Sequence, residues 1–164
     1  MNNIKFIQTH QEKPIAEIAL LLSKHPELDK NHILNQINGL QKAKIKLPSF
    51  YKNNAIVYPV GLSMEQCSSE QTAIYKSKLV AGKSIVDLTG GFGVDAYFFS
   101  KQFVETTYVE QNTELYNLVK ENFKNLNASI DCYNSSCEDF LKNNTKKFDL
   151  AYIDPSRRDE TKRV

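Results

Sequence analysis

The stretch DLTGGFGVD, residues 87–95, decides how this chain is read. Just before it, SIVDL (84–88) is a short continuous apolar run, the pattern of a strand buried on both faces. Just after it, VDAYFFSKQ (94–102) reads as a helix. A strand, a glycine-rich turn and a helix in that order open an α/β sheet whose ligands sit beyond the carboxyl ends of the strands. The alternation continues downstream. TTYVEQ (106–111) is a second strand, and NTELYNLVKENFKNL (112–126) a helix with Leu115, Leu118, Val119 and Phe123 on one face. SIDCYN (129–134) is a third strand, SCEDFLKN (136–143) a short helix and FDLAYID (148–154) a fourth strand. Such alternation implies parallel pairing through right-handed crossovers, hence an α/β, Rossmann-like doubly wound sheet.

Upstream the period is helical. Pro14 suits a first helical position, with Ile15, Ile18, Ala19 and Leu22 following at helical spacing. HPELD (25–29) breaks that helix, and Asp29 can cap a second one with Ile33, Leu34 and Ile37 inward, ended by Pro48. AIVYPVGLS (55–63) reads as an extended segment with a turn. In SSEQTAIYKSKLVAG (68–82), Ser68 with Gln71 suggests a capping box, Ser69 is a second candidate cap, and Gly82 a C-terminal stop. The change of period divides the chain into an N-terminal helical region, 1–82, and a Rossmann-like domain, 83–164. The fourth strand, apolar on both faces, would form an exposed edge, so either another chain or missing C-terminal strands are expected to cover it.

Composition narrows the class. At 164 residues and 41% hydrophobic content the chain can bury a core, and it has no apolar run long enough for a membrane span and no secretory leader pattern. Cys67, Cys132 and Cys137 form no CxxC pair and have no histidine at metal spacing, which suggests reduced thiols in a cytoplasmic protein. Net charge is +2, spread unevenly. Residues 1–82 hold ten lysines against six acids, and residues 83–164 eleven basic against thirteen acidic residues. The basic half is compatible with nucleic acid without demanding it.

Charge also bears on what the glycine turn holds. A pyrophosphate wants bare amides and a positive helix N-terminus, and GGFG lacks the full G-x-G-x-x-G spacing. Here Asp87 closes the strand and Asp95 lies in the next helix's first turn. Two carboxylates near an anion would repel it by on the order of a few kcal/mol each. A sulfonium nucleoside, S-adenosylmethionine, would instead be stabilised by them. Gly90, Gly91 and Gly93 would let backbone approach it closely, and Thr89 adds a hydroxyl. The alternative roles are a favourable helix-start charge for Asp95 and a turn former for Asp87. Glu110, at the tip of the second strand, can accept hydrogen bonds from both ribose hydroxyls, a device that nicotinamide enzymes share. Gln111 is placed to line the adenine, and Glu138 and Asp139 to reach its amino group from the third loop, or to start the short helix.

DLTGGFGVD, YVEQN, SCEDFL and AYIDPSR together resemble the first motifs of a class I S-adenosylmethionine-dependent methyltransferase. YPVGLSMEQCSSEQTAIYK and QKAKIKLP resemble a bacterial family with an N-terminal helical region and a THUMP-like C-terminal domain, related to RNA guanine-N2 methyltransferases of the trimethylguanosine synthase type. The resemblance spans about residues 5–160. It implies a longer parent chain, and places Gln66, Ser69 and Thr72 at the cofactor's methionine end.

DPSRR (154–158) stands where amino-directed methyltransferases carry a (D/N)-P-P-(Y/F/W) loop. There Asp154 would accept an amine N–H, with Pro155 stiffening the loop and Ser156 at the place of the second proline. Alignment of that kind supplies most of the rate. Arg157 replaces the aromatic that would stack on a flipped base, and Arg157 and Arg158 could bind phosphate. The expected function is an S-adenosylmethionine-dependent methyltransferase acting on RNA, without a metal. A non-catalytic cofactor- or RNA-binding module is the alternative, and a nucleotide-dependent oxidoreductase is disfavoured by the flanking carboxylates.

Overall fold

A computed structural model describes residues 2–155. Ser156, Arg157 and Arg158, three of the expected site residues, lie outside the described residues. The chain divides into two compact units, residues 1–65 and 66–164. Among the described residues no helix is long and apolar enough to cross a membrane.

The first unit is helical: α1 (Asn3–His10), α2 (Ile15–Leu22), α3 (Lys30–Lys46), α4 (Pro48–Tyr51) and the start of α5 (Gly61–Gln66). Asn2 caps α1 and Asp29 caps α3, each accepting a backbone N–H in the helix's first turn. Pro14 does not sit inside its helix. Its ψ of 139° keeps it extended, so it is the cap residue and α2 starts at Ile15. The Gly61–Gln66 segment is helical rather than extended. The core joins Phe6, Ile18, Leu22, Ile33 and Ile37 from the apolar stripes of the first three helices with Leu28 from the connection between α2 and α3. Gln36 trades two hydrogen bonds with the backbone of Tyr58 (2.8 and 2.9 Å), which docks that irregular segment on α3.

The second unit contains α6 (Glu70–Leu79), β1 (Ser84–Asp87), α7 (Val94–Phe99), β2 (Glu105–Glu110), α8 (Thr113–Asn125), β3 (Asp131–Asn134), α9 (Cys137–Asn143) and β4 (Leu150–Tyr152). The strands are parallel in the order β3-β2-β1-β4. Side-chain alternation along β1 makes the sheet two-sided. Ile85 packs with Phe99 and Phe103, while its neighbour Val86 packs with Val109 and Phe140. The expected doubly wound α/β sheet is therefore the observed one.

The compact units meet at 65/66, not at the 82/83 boundary read from the change of period. The helix α6 packs on α7 and so goes with the sheet. The direction of the chain reverses across the sheet at the β1–β4 pair, which makes the crevice beyond Asp87 and Tyr152 the topological switch point. At the opposite end, Asp149 Oδ2 accepts the Lys83 and Ser84 N–H groups (2.7 and 2.9 Å) and ties β4 to β1. Those amide bonds hold its carboxyl below the ordinary carboxylate range.

Candidate cofactor and transfer site

The glycine turn is built from inside. Gly90 is glycine because the Tyr108 ring occupies the space where a side chain would begin, 2.1 Å from an ideal Cβ. Gly93 has φ +74° and would meet Phe123 at 2.6 Å and Val119 at 2.7 Å. Gly91 has φ +51° with open space beside it. Two of the three expected ligand-facing glycines thus make room for the protein's own side chains, and only Gly91 borders open space. The Tyr108 hydroxyl then donates to the Gly91 carbonyl (2.7 Å), and its ring stands edge-on to Phe123.

Four of the turn's amides have protein acceptors. Thr89 N–H donates to Asp87 Oδ1 (3.0 Å) and Gly90 N–H to the Val109 carbonyl (2.9 Å). Gly91 N–H donates to Glu110 Oε2 (2.9 Å) and Gly93 N–H to the Gly90 carbonyl (2.8 Å). Glu110 Oε1 takes a further N–H, from Asn112 (2.7 Å). Glu110 is thereby fixed at the β2 tip, and each of its oxygens retains capacity for another donor.

Asp87 ends β1 fully buried, and burial pushes its carboxyl up to about 7. The Thr89 amide opposes that rise, and the charges of Asp95 and Glu110 add to it. Asp95, in the first turn of α7, is not a free charge. Its Oδ2 accepts from Ser68 Oγ (2.8 Å) and Lys76 Nζ (3.3 Å), while its Oδ1 is buried with no partner. The expectation of two free flanking carboxylates is corrected accordingly: Lys76 pairs with Asp95, and burial disfavours the ionised form of Asp87. Glu110 has amide donors and, among the described residues, no cation as a partner.

Asp154 follows β4 and is tied to the glycine turn by its own N–H, which donates to Thr89 Oγ1 (2.7 Å). Its Oδ2 meets Lys76 Nζ (3.3 Å) and the Tyr152 hydroxyl (3.1 Å). The neighbouring Pro155 is exposed. The structure thus brings together Asp87, Thr89, Gly91, Glu110 and Asp154.

Other expected residues stand apart from this cluster. Ser69, not Ser68, caps α6, accepting the Thr72 N–H (3.1 Å) and bonding the Thr72 hydroxyl (2.8 Å); Ser68 is drawn away to Asp95. Gln66 and Gln111 are exposed, and no polar partner within the described residues orients either. Asp139 shares a hydrogen bond with Ser136 (2.9 Å) in the cap of α9, so its carboxylate serves its own helix; Glu138 is exposed beside it. The sequence reading missed Lys76 and Tyr152. No local pattern marks either residue: Lys76 meets its acidic partners only where the fold brings α7 and the β4 tip to it.

Residues 70–162 match the family described as Conserved hypothetical protein 95. No curated protein matches the chain. Among solved structures, one from Porphyromonas gingivalis W83, named a "putative methyltransferase", is 25% identical with a TM-score of 0.75, over 95% of this chain and 40% of that one. A conserved hypothetical protein of Streptococcus pyogenes is 24% identical (TM-score 0.43, 47% of this chain, 50% of that one). A Pyrococcus abyssi tRNA (uracil-54, C5)-methyltransferase, in complex with S-adenosyl-L-homocysteine, is 23% identical (TM-score 0.48, 56% and 24%). This chain thus spans 40% of the length of the Porphyromonas protein. Its sheet is the Rossmann-like fold of the class I methyltransferases.

Proposed function

We infer that this chain, which belongs to the Conserved hypothetical protein 95 family, is the cofactor-binding part of an S-adenosylmethionine-dependent methyltransferase that acts on an exocyclic amine of RNA. The observation that carries the reading is the state of the glycine turn: four of its amides are already spent on protein acceptors, one of them the Glu110 carboxylate. A diphosphate seated on the turn would have to displace the Glu110 carboxylate from the Gly91 N–H. A cationic nucleoside meets no such conflict.

The residues present fit that group. Glu110 offers acceptors to the ribose hydroxyls, Asp87 would offer negative charge toward the bound cation once ionised, and Gly91 borders the open side of the turn. S-adenosylmethionine, when bound, supplies an electrophilic methyl group on a positively charged sulfur. Asp154 would accept an N–H of the substrate amine and turn the nitrogen lone pair toward the methyl. Gln66, Ser69, Thr72, Gln111, Glu138 and Asp139 belong to the same proposal with sequence resemblance as their support, as do Ser156, Arg157 and Arg158 at the acceptor side. So do RNA as substrate, guanine N2 as acceptor atom, kinship to the THUMP-bearing family, and a segment or second chain covering β4, where Ala151 and Ile153 are exposed.

Calorimetry with S-adenosylhomocysteine and with NAD tests the reading directly. The expected result is micromolar binding of the first and none of the second; the reverse order ends the proposal. With labelled S-adenosylmethionine and total RNA, Asp154→Ala should abolish methyl incorporation while changing cofactor Kd less than about threefold, under 1 kcal/mol. Cofactor binding without any transfer by the wild type would favour a binding module instead.

A further inference from the structure

Lys76 is placed with more care than cofactor binding alone requires. It lies in the last turn of α6 with its side chain 25% exposed, and its ammonium reaches four oxygens, on the segment before α6, on α7, on β4 and just past β4. Ser68 Oγ is at 3.0 Å, the Tyr152 hydroxyl at 2.5 Å, and Asp95 Oδ2 and Asp154 Oδ2 each at 3.3 Å. An ammonium only donates, so the Tyr152 oxygen accepts a hydrogen bond from Lys76 and donates its own O–H onward. Its targets are Asp154 Oδ2 (3.1 Å) and, more distantly, Asp95 Oδ2 (3.4 Å). Burial first, then the charges of Asp95 and Asp154, keep that phenol protonated.

Asp154 is thereby held at both ends. Its main-chain N–H is on Thr89, and a cation and a hydroxyl share Oδ2, while Oδ1 has no partner among the described residues. Its side chain is 56% exposed, a setting in which an aspartate ordinarily samples several rotamers. Two donors on one oxygen select a single rotamer and leave the other oxygen available. Lys76 also lies between two carboxylates, Asp95 and Asp154, that would repel each other without it.

We propose that Lys76 and Tyr152 are positioning residues that lock Asp154 in one rotamer, so that its open oxygen receives the acceptor amine in line with the methyl group. This rests on the methyltransferase reading above. A misplacement of about 1 Å at such a group costs on the order of 100-fold in rate.

The test uses the full chain with Tyr152→Phe, Lys76→Met and Lys76→Arg, labelled S-adenosylmethionine and total RNA. Tyr152→Phe and Lys76→Met should lower kcat by roughly 10- to 100-fold with the KM and Kd for S-adenosylmethionine within about threefold, while Lys76→Arg retains most of the rate. Combining Tyr152→Phe with Asp154→Asn should lower kcat no further than Asp154→Asn alone. Side-chain coupling constants of Asp154 give a readout independent of activity: one rotamer in the wild type, averaging in Tyr152→Phe. A folded Tyr152→Phe chain with wild-type kcat, or rotamer averaging already in the wild type, overturns the proposal. A wild type that shows one rotamer but transfers no methyl group overturns the functional reading and not the brace.

Discussion

The tips of β1 and β3 carry the same sequence signature, an acid in the first turn of the helix that follows the strand, and they use it in different ways. At the β3 tip Asp139 bonds Ser136 in its own cap, and Glu138 faces solvent. At the β1 tip Asp95 is turned inward onto Ser68 and Lys76, and Asp87 behind it is fully buried. The first arrangement serves a local helix. The second places charge where a ligand at the switch point would feel it. Acidic residues after a strand are therefore no guide to function until burial is known.

The sharpest way to break this contrast is at the glycines. Gly90→Ala drives a methyl group into the Tyr108 ring and should cost about 3 kcal/mol. Gly91→Ala, with open space but φ +51°, should cost only about 1 kcal/mol. Denaturant melts of the two variants check the order, and equal losses would mean the β1 turn is not held from inside.

Asp87→Asn probes the buried charge. With its carboxyl raised to about 7, the native state between about pH 4 and pH 7 binds a proton that the unfolded chain has lost. Stability should therefore fall as pH rises through that window and level off above it. The variant removes the slope and should gain on the order of 2 kcal/mol at pH 8, while binding S-adenosylmethionine about tenfold more weakly. In the wild type, binding of this cation should release protons near pH 7, measurable by calorimetry in buffers of different ionisation enthalpy.

Ser136→Ala, at the β3 tip, removes a helix cap and should cost about 1 kcal/mol in stability with no change in cofactor affinity. Smallest of all, Glu138→Gln should alter neither by more than about 0.5 kcal/mol. A tenfold loss of cofactor affinity in Glu138→Gln would erase the contrast, making the β3 tip a ligand surface as well.

Local pattern made much of this molecule legible. The apolar run before the turn, the helical faces of residues 112–126 and the glycines at positions needing positive φ all lie within a few residues of their cause. So does the cap by Asp29, bonded to an amide in its own helix's first turn. The 65/66 division was not legible, because α6 has a helical period whichever unit it joins. The cap at Ser69 rather than Ser68 was ambiguous for a related reason: neighbouring serines share a propensity, and a tertiary partner decides between them.

By itself the sequence determined that strands and helices alternate, that a glycine turn follows the first strand, and that acids end the first, second and fourth strands. Only the tertiary structure decided which of those acids is buried, which has its charge balanced and which amides are left to bind anything. The reason is range. Periodicity and capping act over three or four residues, whereas the Lys76 contacts with Tyr152 and Asp154 close loops of 76 and 78 residues. They exist only because parallel pairing brings the β4 tip back beside β1.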